Sequence, residues 1–176
     1  MAKRPTPDRT RPDRAATAAA QWRQERPEID PFPMALLGRL NEASLIVMRD
    51  WLTPVMARYG LQPGEFDVLA TLRRTGGAYA LTPTALYETT MMSSGGMTAR
   101  IDRLEKAGLV ERRKHPTDRR GTLVALTAKG RALIDEAYDA HVANEIALFS
   151  ALTKAEQREL DALLAKLIAG ITREAE

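Results

Sequence analysis

The sequence predicts a mainly α protein interrupted by one small β-hairpin. Three observations predict it. Apolar residues recur at helical spacing along most of the 176 residues, as Met97, Ile101 and Leu104 do at i, i+4 and i+7. One stretch, LVERRKHPTDRRGTLVAL, instead holds two short strand-like runs around a turn with proline, aspartate and glycine. Glycines and capping residues punctuate the rest: Gly60, Gly76 and Gly108 as stops, Thr82, Thr127 and Thr153 as starts.

Residues 1–14, MAKRPTPDRTRPDR, carry no large apolar side chain after Met1 and predict a disordered basic arm. Residues 15–30 predict an extra N-terminal helix, alanine-rich over 15–25, then an extended connector with prolines at 27, 31 and 33. Trp22 is one of two tryptophans, and a short helix carrying one is expected to dock. Residues 33–60 read as one long helix that Pro54 bends or locally breaks. Pro63 opens a second helix ending at Gly76, and Thr82 caps a short third with Pro83 at its first position. Ser93 or Ser94 caps a fourth over 94–107. Its Gly95 and Gly96 each cost roughly 1 kcal/mol relative to alanine, which close approach to another backbone justifies. The hairpin fills 109–127. Thr127 caps a helix over 128–149, and the T-x-x-E pair Thr153 and Glu156 opens the last one, with a stripe of Leu160, Leu163, Leu164 and Leu167.

Charge is polarised along the chain. Residues 93–130 hold nine basic and four acidic residues, whereas 131–176 hold five basic and nine acidic. The absence of cysteine excludes disulfides, thiolate catalysis and cysteine metal sites. Two histidines, no Gly-rich phosphate loop and no metal-ligand spacing leave no catalytic residues, no metal and no cofactor to expect, so an enzyme is disfavoured. No membrane span or secretory signal is legible, and a cytoplasmic location is expected.

Helix, helix, short turn, helix and basic hairpin make a winged helix-turn-helix, here 61–127, with recognition helix 94–107 and wing 109–127. A helix of this size fits the major groove of double-stranded DNA. Its exposed face presents Ser94, Gly95, Gly96, Thr98, Ala99 and Arg103. Thr82 and Thr84 suit phosphates, as do Arg113 and Lys114 in the wing, with His115 as a phosphate neighbour. The wing tip, Asp118, Arg119 and Arg120, suits the minor groove, Asp118 holding an arginine extended. A winged helix that binds only protein is the rival reading.

LTPTALYETTMMSSGGMTARIDRLEKAGLVERRKHPTDRRGTLVALTAKG resembles the core of the MarR family of bacterial transcription regulators. The D-x-R wing tip followed by LTAKG carries the resemblance, which extends over roughly residues 33–171. It implies a homodimer with 33–60 and 128–173 as its helical dimerisation region, a pseudo-palindromic operator, and repression relieved by a small molecule. The wide apolar faces of the first and last of these helices also suit a self-complementary interface.

Arg100 lies on the apolar face of its helix, and a charge there needs a partner. Asp67, itself set in an apolar run, is the candidate. QWRQERPEIDPFPMALLGR resembles the PecS and urate-responsive subgroup of the MarR family. That resemblance places a ligand site on Trp22, Asp67, Arg100 and Arg112. It implies a small anionic ligand, urate or a related purine, that Arg100 binds while Asp67 is repelled or loses its arginine partner, with Arg112 linking helix movement to the wing. A different organic anion is the alternative, and so is pH, through His141, which the resemblance places near a dimer axis.

Overall fold

The computed structural model describes residues 13–90, 96–118 and 121–173. The chain divides into two compact units, Met1–Arg49 and Asp50–Glu176.

The first unit is a pair of helices, α1 (Arg14–Glu25) and α2 (Phe32–Ile46). Most of the expected basic arm lies outside the described residues, but Asp13 caps α1 and Arg14 is its first residue. The Asp13 carboxylate caps the helix by accepting from the Ala16 N–H at 2.9 Å. That bond, and then Arg39, hold its pKa below the usual carboxylate value. The extra helix ends at Glu25, where the alanine-rich stretch gives way to the connector that Pro27 opens. The helices meet through small residues, with Ala15, Ala19 and Ala35 as the buried cluster. Ion pairs Arg39–Asp13 at 2.7 Å and Arg14–Glu42 at 2.6 Å frame the contact.

The expected single helix over 33–60 is three pieces. After α2 the backbone widens into a π-helical stretch, Val47–Leu52, and returns to α3 (Thr53–Ala57). Pro54 has no N–H, and its ring displaces the carbonyl one turn back, so the wider turn just before it is the physical outcome. Asn144, buried on α7 (Ala128–Leu148), donates its Nδ2–H to the Trp51 carbonyl at 2.9 Å.

The second unit continues with α4 (Pro63–Thr75), β1 (Ala80–Leu81), α5 (Pro83–Thr89), α6 (Met97–Lys106), β2 (Val110–Lys114) and β3 (Thr122–Leu126). After α7 and a 3-10 turn it ends in α8 (Lys154–Arg173). The sheet is antiparallel with order β1-β3-β2, and the hairpin register pairs Val110 with Leu126 and Lys114 with Thr122. Strand β1 was not expected: two residues are too few to show a period. It pairs Ala80 with Ala125, and the Tyr79 carbonyl before it accepts from Leu126 at 3.0 Å. The core gathers Val68, Leu69, Leu72, Leu86, Leu104, Val110, Val124 and Ile134, all below 2% exposed. The expected caps at Thr82, Thr127 and Thr153 all form.

The L-T-A-K-G run is a joint between α6, the hairpin and α7. Thr127 Oγ1 donates to the Gly108 carbonyl at 2.7 Å and accepts from the Gly130 N–H at 2.9 Å. Lys129 Nζ donates to the Ala107 carbonyl at 2.9 Å, a cation on the C-terminal end of α6. A side chain at Gly130 would begin 1.9 Å from the Leu109 carbonyl oxygen, so only glycine fits.

Candidate nucleic-acid interface

Helix α6 is shorter than the expected 94–107. Its N-cap is Gly96, in the left-handed region at φ +81°, rather than Ser93 or Ser94. Ser93, Ser94 and Gly95 lie outside the described residues. Met97, Ile101 and Leu104 face the core, as their spacing requires. Thr98, Ala99 and Asp102 are exposed on the opposite side.

Arg103 is also on the exposed side but is held. Its Nε donates to Glu65 Oε1 at 2.7 Å, and its Nη2 to Gln62 Oε1 at 3.4 Å. Glu65 is only 6% exposed. Its second oxygen accepts from the Gln62 N–H at 2.9 Å, completing a capping box at the start of α4. A buried carboxylate needs its cation, so Arg103 is first of all the counter-ion that fixes α6 against α4.

Arg100 and Asp67 are both half-buried, on two helices that pack together. The guanidinium root of Arg100 lies on Gly64: a side chain there would start 2.4 Å from Nε and 2.7 Å from Cζ. Trp22 belongs to the first unit, on α1, and is 51% exposed.

In the wing, Arg112 Nη2 donates to Asp102 Oδ1 at 2.6 Å, its Nη1 donates to Glu105, and its backbone N–H reaches Glu105 Oε1 at 3.1 Å. Asp102 first, and Glu105 with it, push the Arg112 pKa above the usual guanidinium value. Strand β2 is thus tied to α6 through one side chain. Arg113 pairs with Glu111 on its own strand, Nε to Oε1 at 2.8 Å, and Lys114 is exposed. At the turn, His115 Nδ1 accepts from the Asp118 N–H at 3.1 Å, and the Gly121 N–H donates to the Asp118 carbonyl at 3.0 Å. His115 therefore shapes the turn, a role beyond that of a phosphate neighbour. Asp118 is exposed, while Arg119 and Arg120 lie outside the described residues. Thr82 is engaged as the α5 N-cap, accepting from Ala85 at 3.1 Å, and Thr84 is exposed.

His141 on α7 packs inward. Its ring centroid is 4.6 Å from that of Phe66, and Nε2 is 3.0 Å from Glu145 Oε1. Its Nδ1 is buried without a hydrogen-bond partner among the described residues.

A family model described as MarR family matches residues 59–121, from the turn after α3 to the turn of the wing. The HTH-type transcriptional regulator PecS of Dickeya dadantii (strain 3937) is 41% identical over 147 residues, 84% of this chain and 88% of that protein. The chain belongs to the MarR family. MarR-family folds match it in three dimensions as well. A MarR-like transcription regulator from Bacillus cereus ATCC 10987 superposes with a TM-score of 0.69 at 25% identity, over 78% of this chain and 96% of that one. A MarR variant from Escherichia coli complexed with operator DNA gives 0.66 at 28% identity, over 83% and 96%. Like these MarR-family relatives, the chain is a helix-turn-helix transcriptional regulator that binds DNA, and not an enzyme. Among the described residues no helix is long and apolar enough to cross a membrane.

Four residues of this MarR-family lobe, Gln62, Gly64, Glu65 and Lys129, had no role in the sequence reading. Gly64 and Glu65 follow Pro63 in a Q-P-G-E helix start. Gln62 and Glu65 stand at capping-box spacing, the signal that reveals the pair, although glutamine is an unusual first member. Lys129 was legible only as a piece of a motif.

Proposed function

We propose that the chain is a dimeric repressor that binds a pseudo-palindromic operator and is released by a small anionic ligand, urate or a related purine. In each half-site α6 enters the major groove by its Gly96, Thr98 and Ala99 side, and the wing follows into the minor groove. Lys114 and the helix start at Thr82 and Thr84 take phosphates. Arg103 reaches DNA only by loosening its hold on Glu65. The observation that carries the ligand reading is the half-buried Arg100 set against the first turn of α4, with Asp67 one turn further on. An anion drawn to Arg100 meets Asp67 repulsion, α6 moves, and Arg112 passes the movement to β2. A coupling of about 1–3 kcal/mol changes DNA affinity about 5–150-fold. Dimerisation through α2, α7 and α8 is part of the same proposal.

The test is fluorescence anisotropy on the duplex upstream of the chain's own gene, with and without urate, over a salt series. The proposal expects tight binding that salt weakens steeply and urate weakens at constant salt. Binding that ignores urate removes urate as the ligand, and no duplex binding removes the whole reading.

A second reading, response to pH, is favoured by His141. Protonation strengthens its bond to Glu145 but places an N–H at the buried Nδ1, which has no hydrogen-bond partner among the described residues. DNA affinity that changes between about pH 6 and 8 in the parent and is flat in His141→Asn supports it. Identical profiles refute it.

A further inference from the structure

Gly64 occupies the second position of α4, where no turn or positive φ demands glycine. Alanine is the better helix former there. What glycine permits is contact. A Cβ at residue 64 would start 2.4 Å from Arg100 Nε, 2.7 Å from Cζ and 3.0 Å from Cδ. Real side chains do not approach so closely, so any residue but glycine moves the arginine. Cδ, Nε and Cζ are the atoms that set the direction of the two terminal nitrogens. The neighbouring residue acts on the same helix pair: Glu65 holds Arg103 at 2.7 Å, one turn along α6. The first turn of α4 therefore grips α6 at two successive arginines, one through a missing side chain and one through a carboxylate.

We infer that Gly64 is the positioning residue for ligand response: its bare Cα is the seat that aims the Arg100 guanidinium at an anion. The inference rests on the reading that Arg100 meets an anionic ligand. A side chain at 64 leaves the charge in place but turns it, and so uncouples ligand from DNA. It also makes the choice of ligand geometric, since a planar anion accepts from a guanidinium only in the plane the seat imposes.

Two measurements on the full chain test this separately. The first needs no ligand. Thermal unfolding is followed for the parent, Gly64→Ala, Arg100→Ala and the double variant. Gly64→Ala is expected to raise Tm less in the parent background than where Arg100 is already alanine, because in the parent the arginine must move aside and in the double variant only helix propensity remains. Equal shifts in both backgrounds overturn the seat. If Gly64→Ala does not fold, recovery of the fold in the double variant supports the seat, and failure to recover overturns it. The second measurement is the ratio of operator affinities without and with urate, so that changes in DNA affinity itself cancel. The parent ratio is expected to fall to about one in Gly64→Ala, losing the whole of the about 5–150-fold response. A Gly64→Ala variant that keeps the parent ratio overturns the positioning role. A parent ratio already at one sinks the ligand reading instead, and the unfolding cycle still judges the seat.

Discussion

The two units hold themselves together by different means. In the first, α1 and α2 touch through three alanines, and the ion pairs around them are exposed. Large side chains point outward: Leu37 is 66% exposed, and Phe32, Leu36 and Leu45 are likewise exposed. In the second, leucines and valines from α4, α5, α6 and the sheet close a dense core, and its buried charge, Glu65, is paired. Small residues in contact bury little apolar area, so the helix pair gains little from folding alone. The lobe that carries α6 and the wing is built to keep its shape, whereas the helix pair presents an apolar surface suited to burial against something else.

The largest test of that contrast is truncation. Leu104→Ala in the lobe core is expected to cost about 2–5 kcal/mol in urea unfolding. Leu37→Ser on the exposed face of α2 is expected to change monomer stability by less than about 0.5 kcal/mol. Comparable losses at the two sites break the contrast. Next comes the buried charge. Glu65→Ala leaves Arg103 without its carboxylate and is expected to cost about 1–3 kcal/mol. It is also expected to weaken operator binding, read by anisotropy, as α6 loses its anchor. Arg112→Ala follows. Its side chain is 34% exposed, so stability is expected to fall by no more than about 1 kcal/mol. Operator affinity is expected to fall further than stability does, because β2 is no longer tied to α6. The smallest effect is at α8. The Thr153 backbone N–H, with its hydroxyl, holds the Glu156 pKa below the usual carboxylate value. A lowered folded-state pKa contributes stability that is present above the unfolded value of 4.5 and lost as pH falls through the folded one. Amide exchange in the first turn of α8 is expected to quicken on acidification below that value, and less so in Glu156→Gln.

What the sequence revealed follows from the length over which a signal repeats. The core face of α6 was legible because Met97, Ile101 and Leu104 repeat a helical period, and Thr82 and Thr127 because a cap is one residue with one job. The hairpin was legible as two short strand-like runs around a turn. The π-helical stretch was not, because Pro54 announces a break without saying which form it takes. Strand β1 was too short to carry a pattern. At the site, Arg100 stood out because a charge broke an apolar face, and Asp67 for the same reason. The hold of Glu65 on Arg103 was not legible, because the exposure of a face does not reveal a neighbour 38 residues earlier in the chain. Gly64 was invisible for the opposite reason: what matters there is a side chain it does not have.

The most direct test of the account is one titration. Operator affinity is followed against urate for the parent and for Arg100→Ala, side by side, at fixed salt and pH. The account predicts that urate releases the parent from DNA and leaves Arg100→Ala bound. Equal release of both contradicts it.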